Sequence, residues 1–276
     1  MIDGGADLHI HSCYSDGLYT PLQIIQLAIE KDIRAISISD HDTVQGVEET
    51  LDLASQMDIM AIPATEISAI VGNREVHILG YHFDWRNAQL NKRLDWLCQE
   101  RQRRVYQIVQ NLAEIGIDIH PDDVFSISGK GSTGRLHMAM AIIKKGYATK
   151  IPEVFKKYIG YGKPGFVPKV GISPEEAIDL IVMAGGIPVY AHPALSKMDQ
   201  CILKWKAKGL AGLEAYHSSQ SVEVSRFYEQ LAIKYHLCIT GGSDFHGMNK
   251  NRRSIGMVRL PYKYVERINQ IKAEKG

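Results

Sequence analysis

The period of the hydrophobic positions changes several times along the chain, and each change predicts an element. Ala6 to Ile10 is an apolar run of strand length. Thr20-Pro21 opens a helix whose apolar positions Leu22, Ile25, Ala28 and Ile29 share one face, with proline where its missing N–H costs nothing. Ala35 to Ser39 reads as a second strand, and Thr43 as the cap of a helix running to Met57. Ile59 to Ile62 and Val76 to Tyr81 are further strands. Strands and helices alternating in this way predict a mainly parallel sheet or barrel.

The period shifts after Asp84. From Asn87 to Ile115, residues Leu90, Leu94, Leu97, Val105, Ile108, Leu112 and Ile115 recur at three- and four-residue steps and predict one long amphipathic helix. Arg101 interrupts that stripe; its stem is expected to pack at the edge and its head to stay in water rather than on a substrate. Shorter helices are predicted over Leu136 to Lys145 and Pro152 to Tyr158, and Ser126 to Gly134 reads as a flexible polar loop. Alternation resumes after Pro168. A helix from Pro174 to Ala184 stops at Gly185-Gly186, and strands follow at Ile187 to Ala191, Leu210 to Tyr216 and Leu237 to Thr240. The predicted fold class is α/β: a barrel split between residues 1–85 and 162–276, with residues 86–161 as a helical insertion over the active-site face.

Composition narrows the functions available. With 276 residues, 45% of them hydrophobic, the chain can bury a large core. Lys+Arg is 32 and Asp+Glu is 31, so no broad cationic face is implied and duplex nucleic acid is excluded as an expected partner. Cys13, Cys98, Cys201 and Cys238 are scattered without a CxxC pair and read as reduced thiols. The first residues lack a basic, apolar leader, and no stretch approaches the ~20 apolar residues of a membrane span. The expectation is a soluble cytoplasmic protein with no membrane partner.

The candidate chemistry lies in the histidines and acids. They read His9-Ile-His11, Ser15-Asp16-Gly17, Asp40-His41-Asp42, Glu66, His77, Ala191-His192-Pro193 and Ser243-Asp244-Phe245-His246. Most follow an apolar run, and in an α/β barrel strand ends converge on one face. Residues i and i+2 of a strand share a face, so His9 and His11 can reach one ion. Imidazoles and carboxylates together are the ligand set of Zn²⁺, Mn²⁺ or Fe²⁺. A lone HxH carries little weight, but a separate hydrogen-bonding explanation for each clustered imidazole is a poor account of them all. Asp7, Asp40 and Asp42 are expected to accept hydrogen bonds from the liganding histidines. His82 competes with His77, and the run Val76-His77-Ile78-Leu79-Gly80-Tyr81 favours His77; Cys13 is expected to point away.

The ordered set HxH, SDG, DHD, Glu, His, AHP and SDFH resembles the PHP (polymerase and histidinol phosphatase) superfamily over nearly the whole chain. The resemblance implies a distorted (β/α)7 barrel holding two or three divalent ions. It implies that His9, His11, Glu66 and Asp244 hold the first ion, that Glu66 is shared with a second held by His77 and His192, and that Asp16, His41 and His246 hold a third. Glu66, Asp244 and His192 are then the expected catalytic residues. Asp16 stands where histidinol-phosphatase members often carry histidine, and a harder carboxylate favours Mn or Fe over Zn.

The segments Gly134-Arg135-Leu136-His137 and Tyr161 to Pro168 resemble one branch in particular. Its members remove phosphate from 3′,5′-bisphosphonucleotides or trim short RNA from its 5′ end. That resemblance implies that Arg135 faces a substrate phosphate, for which its planar fork is suited. His137 is either a phosphate donor or general acid, or packs beside Arg135; Lys163 either reaches a second phosphate or is a surface lysine. The expected activity is a metal-dependent phosphoesterase whose ions generate a hydroxide nucleophile. Its expected substrate is a small phosphorylated molecule, a nucleotide or a short single-stranded RNA or DNA end. The alternatives are a histidinol-phosphate phosphatase, an amidohydrolase-type C–N hydrolase (disfavoured because the motif set contains no lysine), and a non-catalytic PHP-like binding module.

Overall fold

The computed structural model describes residues 5–128, 131–247 and 253–275. Strands β1 (Ala6–Ile10), β2 (Ala35–Ile38) and β3 (Met60–Ala61) pair in parallel, in that order. A second sheet has the order β4 (Ala64–Val71), β5 (Arg74–Tyr81), β6 (Ile187–Tyr190), β7 (Gly212–His217) and β8 (Cys238–Gly242). Strands β4 and β5 form a hairpin about Gly72-Asn73, where Gly72 has φ +61°, a turn that glycine and asparagine favour. Strand β5 then runs antiparallel to β6, and β6, β7 and β8 are parallel.

The two sheets meet at both sides of the site. His41, beyond β2, bridges to Glu66 of β4, and Ile10 bridges to Phe245 beyond β8. A Cβ added at Gly242 would stand 2.4 Å from the His9 amide nitrogen, so only glycine lets β8 lie against β1. The expectation of a mainly parallel (β/α)7 barrel therefore holds as a mixed α/β architecture. The described residues form two sheets rather than one closed sheet, because the β4–β5 hairpin reverses the chain. Strand β4 escaped the sequence reading because Thr65, Glu66 and Ser68 break up its apolar run.

Helix α1 (Pro21–Glu30) starts in a capping box between Thr20 and Gln23. Its buried positions are Pro21, Ile24, Ile25 and Ala28, while Leu22 and Ile29 are exposed. The inward face is thus turned from the predicted one onto the i, i+3, i+4, i+7 row. Helix α2 (Val47–Gln56) starts after Gly46 rather than at Thr43, whose hydroxyl instead accepts the Gln45 amide at 3.2 Å.

Helix α3 (Ala88–Ala113) is capped by Asn87 and buries Leu90, Leu94, Leu97, Val105, Ile108 and Leu112. Ile115 lies past its end and is exposed. Helices α4 (Pro121–Ser128), α5 (Arg135–Lys144) and α6 (Ile151–Val154) follow, α6 continuing into one π turn over Phe155–Ile159. Ser126 to Ser128 are therefore helical rather than loop; Gly129 and Lys130 of the predicted loop lie outside the described residues. The second half of α3 and helices α4–α6 share a hydrophobic cluster of their own, with Ile108, Leu112, Val124, Met138, Ile142 and Val154 at its centre. Helices α7 (Pro174–Met183), α8 (Pro193–Ser196), α9 (Ile202–Ala207), α10 (Val222–Lys234) and α11 (Tyr262–Lys275) complete the described fold. No helix among the described residues is long and apolar enough to cross a membrane.

Candidate metal centre

The site collects from strands and strand ends. β1 supplies His9 and, one residue past its end, His11. His41 follows β2, Glu66 lies in β4, His77 in β5, His192 follows β6, and Asp244 and His246 follow β8. Glu66 pairs with Leu79 and Ser68 with His77 across the hairpin, which puts Glu66 and His77 on one face. His192 and Asp244 hold φ of +29° and +51°, a backbone region costly to residues with a Cβ and concentrated at functional sites.

Glu66 is the hub. Its Oε2 lies 3.4 Å from His9 Nε2, 3.3 Å from His11 Nε2 and 3.0 Å from His41 Nδ1. Its Oε1 is 2.8 Å from both His77 Nδ1 and His192 Nε2. Asp244 Oδ1 is 3.2 Å from His11 Nε2 and 3.7 Å from His9 Nε2. Asp16 Oδ1 is 3.1 Å from His246 Nε2 and 3.9 Å from both His11 Nδ1 and His41 Nε2.

The structure brings all nine sequence-predicted residues together, in four overlapping groups whose nitrogen and oxygen atoms lie within 4.8 Å of one another. These are His11–Asp16–His41–His246, His9–His11–Asp244, His9–Glu66–His192 and His41–Glu66–His77. The grouping departs from the predicted partition in two respects: His11 also joins Asp16, and His77 sits with His41 while His192 sits with His9.

Burial works against every charge here, and the pairing decides the outcome. Burial lowers His11, but hydrogen bonds to Asp244 and Glu66 outweigh it and raise His11 to about 9. Burial likewise opposes charge on His77, which Glu66 and Glu75 raise to about 10. His41 and His192 are pushed down by burial. Burial would raise Glu66, yet the charges of His77, His41 and His9 hold it well below the carboxylate range. Glu66 Oε2, His41 Nδ1 and His192 Nδ1 are buried without a well-directed hydrogen bond; the near neighbours of Glu66 Oε2 are other imidazoles. Buried nitrogen and oxygen atoms crowded in this way fit divalent cations, which take these donor types and relieve that cost.

Other residues serve this set. Glu214 Oε1 stands 2.9 Å from His9 Nδ1, and its Oε2 accepts the His192 amide at 2.7 Å. Glu75 Oε1 stands 2.8 Å from His77 Nε2. His217 Nε2 lies 3.3 Å from Asp244 Oδ2, and Arg253 Nη1 also donates to that carboxylate. The sequence reading missed these four residues. Glu75 carried a usable signal, because it stands two positions before His77 on the same strand face.

The acids expected in that role do other work. Asp7 accepts the amides of Ser243 (2.8 Å) and Gly256 (3.0 Å). Asp40 accepts from Ser12 and Ser15, reaching His11 only through Ser15. Asp42 accepts the Ser68 amide at 2.7 Å and takes Arg101 on its other oxygen. The Arg101 head is thus not in water; it donates to Asp42 and to Ser68 Oγ at 2.8 Å. His82 turns away to Asn269 at 2.8 Å, and Cys13 is exposed.

A cavity of about 250 Å³ opens over the cluster, lined by His41, Glu66, His77, His192, Asp244, His246 and Arg253 among others. Arg135 opens α5 outside that cavity's lining, with Nη2 4.0 Å from Glu75 Oε2. His137 Nδ1 accepts the Gly134 amide at 3.1 Å and so closes the first turn of α5. Lys163 is exposed in the turn after Gly160, and the lysine on Glu75 is instead Lys169.

Clustered side chains that could hold metal ions under an open cavity, with the Arg253 guanidinium in its lining, fit a metal-dependent hydrolase acting on an anionic ester. The PHP domain model matches residues 7–119. The 5'-3' exoribonuclease Rnm of Salmonella typhimurium is 32% identical over 251 residues, covering 87% of this chain and 84% of that protein. The 3',5'-nucleoside bisphosphate phosphatase of Chromobacterium violaceum is 31% identical over 256 residues, covering 91% of this chain and 90% of that protein. A metal-dependent phosphoesterase structure from Bifidobacterium adolescentis superposes with a TM-score of 0.88 at 27% identity, covering 96% of this chain and 95% of that one. The chain belongs to the PHP family of metal-dependent phosphoesterases and is a phosphoric ester hydrolase.

Proposed function

We propose that the protein hydrolyses a terminal phosphate ester of a nucleotide carrying two phosphates, or of a short single-stranded RNA or DNA end. The observation that carries this reading is the placement of Arg135. It stands beside Glu75, and Glu75 holds His77, so a cation suited to phosphate lies one carboxylate from the metal centre. The relatives named for nucleoside bisphosphates and RNA ends support the same reading.

In this reading the nine residues hold two or three divalent ions, Mn or Fe rather than Zn because Asp16 is a carboxylate. The barrel is the distorted (β/α)7 type, with residues 86–161 as its insertion. Bound divalent ions supply an activated water and neutralise charge on the phosphoryl group. Glu66 keeps the ligand groups in register, His192 and Asp244 fix their outer sides, and Arg135 grips phosphate oxygens. A hollow of about 380 Å³, lined by Tyr14, Asp16, Leu18, Leu136, His137 and Met140 among others, adjoins the cluster through Asp16. It gives a nucleoside an apolar wall, and this walled approach and the balanced charge suit a chain end rather than a duplex.

The test is kcat/KM for adenosine 3′,5′-bisphosphate against AMP and histidinol phosphate under one metal condition. The bisphosphate is expected to lead. Equal or better turnover of histidinol phosphate would overturn the nucleotide reading while leaving the metal chemistry in place.

A further inference from the structure

Six of the residues that line the cavity over the metal centre are candidate ligands; the other two are Leu195 and Arg253. Leu195 follows His192 in α8, is exposed and carries no charge. Arg253 is therefore the one permanent cation in that lining. Arg135 of α5 is not part of it.

One buried carboxylate fixes both ends of the segment that carries Arg253. Asp7 accepts the Ser243 amide at 2.8 Å and the Gly256 amide at 3.0 Å. Ile255 is buried in the same cluster as Ile10 and Phe245. Asp244 and Arg253 lie just inside these anchors, and Arg253 Nη1 donates to the Asp244 carbonyl at 3.2 Å and to Asp244 Oδ2. Oδ2 also faces His217, whereas Oδ1 faces His9 and His11. The guanidinium thus leaves free the oxygen that stands among the candidate ligands, and it does not compete with an ion for Asp244. Held through one nitrogen, it keeps its other N–H groups for a second acceptor. Among the described residues no other carboxylate pairs with it.

Asp244 has no need of an arginine as counter-charge. Its carboxylate already meets His9, His11, His217 and His246 within 3.7 Å. A fixed cation in the wall of a site built for cations is unfavourable unless an anion comes between them. A phosphoryl group is such an anion. Charge on its non-bridging oxygens must be stabilised as the ester breaks, and a guanidinium already in place does so without reorganising.

We propose that Arg253 is a catalytic residue whose free N–H groups contact the phosphoryl group being hydrolysed while Nη1 stays on Asp244. The assignment rests on the phosphoester chemistry alone and holds whichever phosphoester is the substrate.

The test compares the Mn²⁺-loaded full chain with Arg253→Met and Arg253→Lys. The substrate is whichever of p-nitrophenyl phosphate, AMP, adenosine 3′,5′-bisphosphate and histidinol phosphate the wild type turns over fastest. In Arg253→Met, kcat is expected to fall roughly a hundredfold. Arg253→Lys keeps the charge but loses the fork and should recover part of that loss; it carries the test if Arg253→Met does not fold. Calorimetric titration with inorganic phosphate should show binding weakened roughly tenfold or more in Arg253→Met. Elemental analysis should find the wild-type metal content in both variants. Unchanged kcat with unchanged phosphate affinity would overturn the assignment. Loss of metal from both variants would also overturn it and make Arg253 a support for Asp244. A wild type that prefers histidinol phosphate, with the same fall in Arg253→Met, would defeat the nucleotide reading and leave the role of Arg253 in place.

Discussion

Glu66 meets five imidazoles within 3.4 Å and is almost fully buried. No substitute reproduces that. Glu66→Ala and Asp244→Ala are expected to abolish phosphate release while leaving far-ultraviolet circular dichroism unchanged; normal turnover in either would contradict the centre as described. Glu214 acts one step further out, fixing the His9 ring and the His192 amide. Glu214→Gln should weaken metal affinity roughly 10–100-fold, measured by competition with a chromogenic chelator. Arg135 is one-third exposed, so its truncation acts on substrate rather than fold. Arg135→Ala should cost about 1.5–3 kcal/mol of phosphate interaction, tenfold or more in kcat/KM, with metal content unchanged.

At the scale of elements, the close approach of β8 to β1 is the tightest constraint on the site. Gly242→Ala would set a methyl carbon 2.4 Å from His9 backbone and side chain. The strands must part, at a cost of about 1–3 kcal/mol, and His9 moves away from Asp244. Thermal melting and metal content should therefore fall together; an unaltered melting temperature would show that the contact yields freely. The same elements explain what the sequence disclosed. His9, His11, His41, His192, Asp244 and His246 were legible because each lies at or just past a readable apolar run. Glu66 was picked out by its motif, but its strand was not, because Thr65 and Ser68 point to partners that only the fold supplies. Arg101 was misread for a related reason. Its partner Asp42 lies 59 positions away, and no local period encodes a pairing of that span.

For the whole molecule, the candidate ligands come from both sheets, so bound metal would tie the sheets together. Divalent metal should therefore raise stability as well as activity. Metal at a thousand times its dissociation constant adds about 4 kcal/mol, so chelation should lower the melting temperature and re-addition of Mn²⁺ should restore it. Elemental analysis of protein purified without chelators is expected to find two or three equivalents of Mn, Fe and Zn together. The α/β class was readable from alternation alone. The division into two sheets was not, because it turns on one hairpin at Gly72-Asn73 and on bridges formed by single residues.

The cluster around Ile108, Leu112, Val124, Met138 and Ile142 is built without side chains from the strands that carry the candidate ligands. Drift in those codons can therefore reshape one wall of the cleft while the reacting groups keep their places.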